Sequence, residues 1–212
     1  MPSGISAQGS TLSISTGTGT AKTITAVTVG NPTILTITGH GLGNGDVGTI
    51  SALTGADAAL LNGLAFVVTN KTANTIAVNV DTTGKVVTAT TGSFTPQLFT
   101  KINGVISYSG LDGAAGELDV TDLDSLAMEY IGGLRDEGKF GYECKILNTD
   151  PGQLAVRAAR TTGTVRSIKL ALPDATTATF SVIVKTVPLN GATNTVLKNS
   201  VDMKITGPVT YA

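Results

Sequence analysis

The stretch NTDPGQLAVRAARTTGTVRSIKLALPDATTATFSVIVKTVPL, residues 148–189, passes from one periodicity to another without a break. Asp150 is a candidate N-cap, Pro151 suits the first helical position, Gln153 completes a capping box and Gly163 follows the last turn, so the segment between them is predicted helical. Arg157 and Arg160 fall on or near its outer side. Beyond Gly163 the period becomes two: Ile168, Leu170 and Leu172 share a face, as do Phe180, Val182 and Val184, and later Val201, Met203 and Ile205. Upstream, FGYECKILN alternates Phe140, Tyr142, Cys144 and Ile146 against Gly141, Glu143, Lys145 and Leu147. Before it, QLFTKINGVISYSG offers Ile102, Val105, Ile106 and Tyr108 as anchors of a strand pair. One helix among many strands predicts a mainly β fold, an antiparallel β-sandwich or half-barrel with one flanking α-helix.

Composition agrees with this class. The 212 residues suffice for one domain or two, and with 26 glycines, 14% charged residues and no Trp they suit short strands and turns better than helical packing. A net charge of -1 gives no general attraction to nucleic acid or to an anionic membrane, and no apolar run approaches the length of a membrane span. The start, MPSGISAQGSTLSIST, has no basic segment leading into an apolar one, so synthesis in the cytoplasm is expected.

Charge is unevenly spread. Before Lys101 the only charged residues are Lys22, Asp46, Asp57, Lys71, Asp81 and Lys85, and from Ala21 to Thr91 the text is Thr, Val, Gly, Asn and Ala in alternating runs such as TILTIT and TIAVNV. This predicts a small all-β module over residues 20–92. Within it TGHGLGNGDVGTIS has glycine spacing that satisfies a dinucleotide fingerprint, but the text after it is strand-like and not helical, so turns between strands are the expectation. ADAALLNGL, residues 56–64, predicts a short helical turn closed by Asn62 and Gly63, and NKT at 70–72 reads as a turn. His40 is the only histidine and Cys144 the only cysteine, and they lie in compositionally different parts of the chain, which argues against a hydrolytic triad or a zinc site. No enzyme, cofactor or metal is expected.

The stretch GELDVTDLDSLAMEYIGGLRDEG, residues 116–138, gathers seven of the chain's 15 acidic residues. Leu123, Leu126, Ala127, Tyr130 and Ile131 follow helical spacing, with Thr121 or Asp122 as cap and Gly132-Gly133 as stop, which predicts a short helix with one apolar face. Asp122 and Asp124 near its start are favoured by the helix dipole, which accounts for acidity without catalysis. Arg135 and Lys139 stand ready to pair with Asp136, Glu137 or another subunit, contacts that select partners more than they stabilise.

Together, GELDVTDLDSLAMEYIGGLRDEG, NTDPGQLAVRAARTTG and the closing SVDMKITGPV resemble, in order and spacing, the major tail tube proteins of long-tailed bacteriophages. The matching positions in the acidic stretch are Asp119, Thr121, Leu123, Asp124, Ser125, Tyr130, Gly133, Leu134, Asp136 and Gly138. The resemblance implies a discontinuous tail-tube domain over residues 1–19 and 93–212, with 20–92 inserted and carried on the tube exterior. It implies a virion protein whose six copies form a ring, with rings stacked into the conduit for the genome. The implied partners are the chain itself, the tape-measure, tail-terminator and distal tail proteins, and DNA passing transiently through the lumen.

On this reading the acidic stretch is an assembly loop, with Asp119, Thr121, Leu123, Asp124, Leu126, Glu129, Tyr130, Arg135 and Asp136 as candidate contacts between subunits or rings. Glu143, Asn199 and Asp202 are candidate lumen residues, since a neutral or acidic wall would let DNA slide where a basic one would hold it. Two other readings share the composition: a different virion ring or decoration protein such as a terminator or baseplate ring, and a carbohydrate-binding surface or fibre module. For the last, the Thr/Gly/Asn-rich insert is the supporting feature and the scarcity of Trp and Tyr the opposing one.

Overall fold

The computed structural model describes residues 4–212; the first three residues of the expected 1–19 segment lie outside the described residues. The strands in chain order are β1 (Thr11–Thr18), β2 (Lys22–Thr23), β3 (Ala26–Thr28), β4 (Thr33–Thr36), β5 (Val47–Ser51), β6 (Ala65–Val67), β7 (Thr75–Val78) and β8 (Ser93–Lys101). They continue with β9 (Val105–Gly110), β10 (Ala114–Asp119), β11 (Tyr130–Asp136), β12 (Lys139–Lys145), β13 (Arg166–Ala171), β14 (Thr177–Thr186), β15 (Leu189–Asn190) and β16 (Lys198–Tyr211). Among the described residues the single α-helix, α1 (Pro151–Thr162), lies between β12 and β13, and a 3-10 turn spans Ala58–Leu60. All strand pairings between these elements are antiparallel, so the mainly β class with a helix flanking the sheet after β12 is as predicted.

The main sheet runs β6-β5-β8-β1-β13-β14-β16-β12-β9. β8 and β9 are joined by the short turn at Ile102–Gly104, yet β8 pairs with β1 and β9 with β12, at opposite ends of the strip between them. A strip whose two ends meet in one turn must roll up. The Ser10 hydroxyl lies 3.2 Å from the Tyr108 hydroxyl of β9, and the Gln153 side-chain amide donates to both Asn103 O and Lys145 O at 2.8 Å, pinning the two ends of the roll. Phe140 of β12 and Phe180 of β14 meet edge to face at 5.1 Å across the interior, an arrangement the ring quadrupoles favour. Around them lie Ile14, Ile102, Ile168, Val182, Met203 and the helix residues Val156 and Ala159.

The α1 boundaries follow from local chemistry. The Asp150 side chain accepts the Gln153 N–H at 2.9 Å, and Gly163 takes the left-handed conformation, φ 66°, that closes a helix without a Cβ penalty. The expected capping box is made only in part: the Gln153 side chain turns away to Asn103, Lys145 and Leu147, because those backbone groups at the closing seam need partners. Gly152 is required for packing, since a Cβ there would stand 2.8 Å from Ile102 Cα.

Residues 24–94 build a second core from Ile24, Leu35, Ile50, Leu61, Ile76, Val78 and Phe94. Phe94 belongs to β8, whose first half pairs with β2 and β5 and whose second half pairs with β1, so this core extends past residue 92. The two cores are tied at one corner: Lys169 Nζ contacts Asp46 Oδ1 at 2.7 Å, and Thr179 Oγ1 donates to Gly45 O at 2.9 Å. The glycine-rich stretch lies between β4 and β5, with positive φ at Gly39, Gly41 and Gly45, and it leads into a strand, not a helix. Asn62 closes the 3-10 turn by exchanging hydrogen bonds with the Leu53 backbone.

Two anchor residues differ from expectation. Ile106 faces outward because β9 is irregular where it meets β12, between Glu143 and Cys144. Ile146 is only half-buried because β12 ends at Lys145.

Candidate functional site

The acidic stretch forms no helix. β10 and β11 pair with each other as a separate two-stranded sheet, in register Leu118↔Ile131 and Asp119↔Tyr130, and neither joins the main sheet. The physical reason lies in the Asp122 side chain, whose Oδ1 accepts the Asp124 N–H at 2.9 Å and the Ser125 hydroxyl at 3.1 Å. Such side-chain turns compete with helix formation, and an apolar stripe at helical spacing has nothing among the described residues to pack on. Tyr130 and Ile131 therefore enter β11. The Asp119 carboxylate accepts the Thr121 N–H at 2.9 Å, and the Thr121 hydroxyl accepts the Glu129 N–H at 3.0 Å, which shapes the rest of the tip.

Leu123 and Leu126 at the tip are as exposed as in an open chain, and Leu134 is 95% exposed. Leu118, Met128, Tyr130 and Ile131 are also exposed, so apolar side chains cover both faces. Between Glu117 and Glu129 there are five acidic side chains and no basic one. Arg135 makes an exposed pair with Glu137 at 3.5 Å.

The base of the hairpin is held firmly. Lys204 Nζ of β16 contacts both carboxylate oxygens of Asp136, at 2.7 and 2.6 Å, and the Gly138 N–H donates to Asp136 Oδ1 at 2.9 Å. The Lys204 hydrogen bond, then the Gly138 N–H, hold the Asp136 carboxyl below its ordinary range. Asp112 accepts the Lys139 N–H at 3.1 Å, and that bond lowers its carboxyl too. Asp119 is lowered by the Thr121 hydroxyl and N–H. Lys204 and Asp112 tie the hairpin's base and are not among the candidates read from the sequence; Lys204 alternates with buried Met203 and Ile205 and so faces outward, but its partner lies 68 residues away.

Glu143 and Asp202 share the outer face of β12 and β16, where Glu143 contacts Lys198 at 3.5 Å. Asn199 does not join them. It is 4% exposed, because the alternation that buries Val201, Met203 and Ile205 also turns Asn199 inward, and it cannot line a channel wall from there. The same face presents Lys139, Lys145, Lys198 and Lys204, so it is mixed in sign and not acidic.

Cys144 is buried in the main core, where desolvation raises its thiol above the ordinary range, away from nucleophilic use. His40 is buried in a turn, with its Nδ1 accepting the Leu42 N–H at 2.9 Å and its Nε2 3.0 Å from the Thr72 carbonyl oxygen. Among the described residues no group of three or more His, Cys, Asp or Glu is placed to hold a metal, and no helix is long and apolar enough to cross a membrane.

No family model matches the chain, and no curated protein matches it. It is similar in part to a chain in the tail of an empty gene transfer agent particle, solved by helical refinement with C6 symmetry: TM-score 0.47, 20% identity, covering 54% of this chain and 86% of that one. A chain of the native gene transfer agent virion gives TM-score 0.47 and 19% identity over 54% of this chain and 88% of that one. A chain of the six-fold symmetrised anti-feeding prophage baseplate gives 0.42 and 15% over 54% and 84%.

Proposed function

We propose that this chain is the structural subunit of a phage-like tail tube, assembling into six-membered rings that stack into a conduit for genome delivery. The observation that carries the proposal is the β10–β11 hairpin, which is tied to the body at its base and projects both apolar faces and an acidic tip that pack on nothing else among the described residues. A lone two-stranded hairpin is marginal in water, and exposed apolar patches of this kind mark association surfaces. The resemblance of the 116–138 stretch to tail tube assembly loops gives that association its identity, and the virion tail is where such a subunit resides.

On this proposal Asp119, Thr121, Leu123, Asp124, Leu126, Glu129 and Tyr130 contact a neighbouring copy, while Arg135 and Asp136 shape the hairpin's base. Glu143 and Asp202 remain the lumen candidates, with Lys198 partly neutralised by Glu143. Residues 20–92 lie outside the tube, where their Thr- and Asn-rich surface is available to a host glycan. Tape-measure, terminator and distal tail proteins are the expected neighbours at the lumen and the two ends. Replacing residues 117–131 by a short turn tests the proposal: the variant should remain folded and no longer form tubes, and tube formation at the wild-type concentration would contradict it.

A further inference from the structure

At the end of β12 far from the hairpin, a groove opens between α1 and the β15–β16 segment, lined by Ile146, Arg157, Arg160, Val187, Leu189 and Leu197. β12 begins at Lys139, directly after the hairpin, and Ile146 follows its last residue. Hairpin and groove thus occupy opposite ends of one seven-residue strand, about 20 Å apart at ~3.3 Å per residue.

The groove's chemistry is the counterpart of the tip's. Leu189 is 67% exposed and Leu197 51% exposed, so apolar surface lies open there. Arg157 and Arg160 make no salt bridge among the described residues. Nearby acids are already engaged: Asp150 caps α1 and Glu143 faces Lys198. The tip offers Leu123 and Leu126, which fit an apolar groove, beside Asp119, Asp122 and Asp124, which fit a pair of guanidinium groups.

From this complementarity we infer that the hairpin tip of one copy seats in the Arg157/Arg160 groove of a second copy, making the axial contact between successive rings. The inference rests on the tail-tube reading and adds the socket to it. A plug at one end and a socket at the other make a heterologous contact, which propagates along an axis when the rotation between copies does not close. Its charged part should weaken with salt, as exposed attractions do.

Charge reversal tests the contact in the full-length protein. Arg157→Glu with Arg160→Glu should leave rings intact while raising the concentration needed for stacking by about tenfold or more, because like charges then face each other. Adding Asp124→Arg and Glu129→Arg to the same chain, which leaves the Asp122 turn in place, should restore stacking, since plug and socket are then reversed together. Stacking of the groove variant at the wild-type concentration would overturn the inference, as would failed rescue in a chain that keeps the wild-type melting temperature. A chain carrying Leu126→Cys and Leu197→Cys should form intermolecular disulfides on oxidation of its tubes, the native Cys144 being buried, and tubes that give none would overturn it equally. A wild-type protein that forms no rings or tubes at all would instead remove the tail-tube reading beneath it.

Discussion

Lys204 of β16 holds both carboxylate oxygens of Asp136, at 2.7 and 2.6 Å, and so ties the foot of a projecting hairpin to a strand of the main sheet. The tip carries no such tie. The hairpin is thus directed by its base and left free to meet a partner at its end.

Removing the tie should loosen the hairpin and leave the body intact. Lys204→Met is expected to speed hydrogen exchange and proteolysis across residues 112–138, with the main melting transition unchanged. Acid should act in the same direction. Because the Asp136 carboxyl is held below its unfolded value, its contribution is present above the ordinary carboxylate range and is lost as pH falls through its lowered folded value. Protection factors across residues 112–138 that stay unchanged below that range in the wild type, or exchange that stays slow in Lys204→Met at neutral pH, would count against this tie.

Leu126 and Tyr130 are exposed and lie outside both cores, and on the proposed function they serve association. Changing both to Ser should alter monomer stability by no more than about 0.5 kcal/mol, as exposed positions do, while lowering polymerisation measured by light scattering. A loss of several kcal/mol in chemical denaturation would place them in a core.

Asp150 has a different role. It caps α1 through the Gln153 N–H and receives the Asn103 side-chain amide at 2.6 Å, at the seam where the rolled sheet meets itself. Asp150→Ala should cost about 2 kcal/mol or more, combining a lost cap with an amide left without its partner. Urea denaturation of the monomer measures it, and a loss under 0.5 kcal/mol would contradict the assigned role.

The segment 20–92 presents a sharper test because β8 pairs with strands of both cores, β1 and β5. Deleting residues 21–91 through a short linker should leave the main roll folded, but with Phe94 uncovered and Lys169 without Asp46 the protein should be less soluble. Adding Phe94→Ser to the deletion should recover solubility, and tubes should still form if the insert sits outside. A deletion variant with no cooperative unfolding would show that the two cores fold as one.

How much of this was legible depends on how local the cause is. The α1 segment was readable because its cap, its first-turn proline and its closing glycine lie within 14 residues, and β12, β13, β14 and β16 because one buried face leaves a period of two. The same period run back from Val201 would have turned Asn199 inward; that signal was present and unused. The hairpin was misread because Leu123, Leu126, Ala127, Tyr130 and Ile131 carry helical spacing while the Asp122 turn and the pairing of Leu118 with Ile131 decide the backbone. Pairings between distant segments, such as Lys204 with Asp136, Lys169 with Asp46 and the Arg157 groove, depend on sheet register and have no local signature.

The central claim is that this chain polymerises as a tube, and electron microscopy of the purified full-length protein over a range of concentrations and ionic strengths tests it most directly. Hollow tubes built of stacked six-fold rings, with the β10–β11 hairpin reaching from each ring into the next, are the predicted result. A protein that remains monomeric under every condition, or that stops at a closed assembly with the hairpin still exposed, would contradict the account.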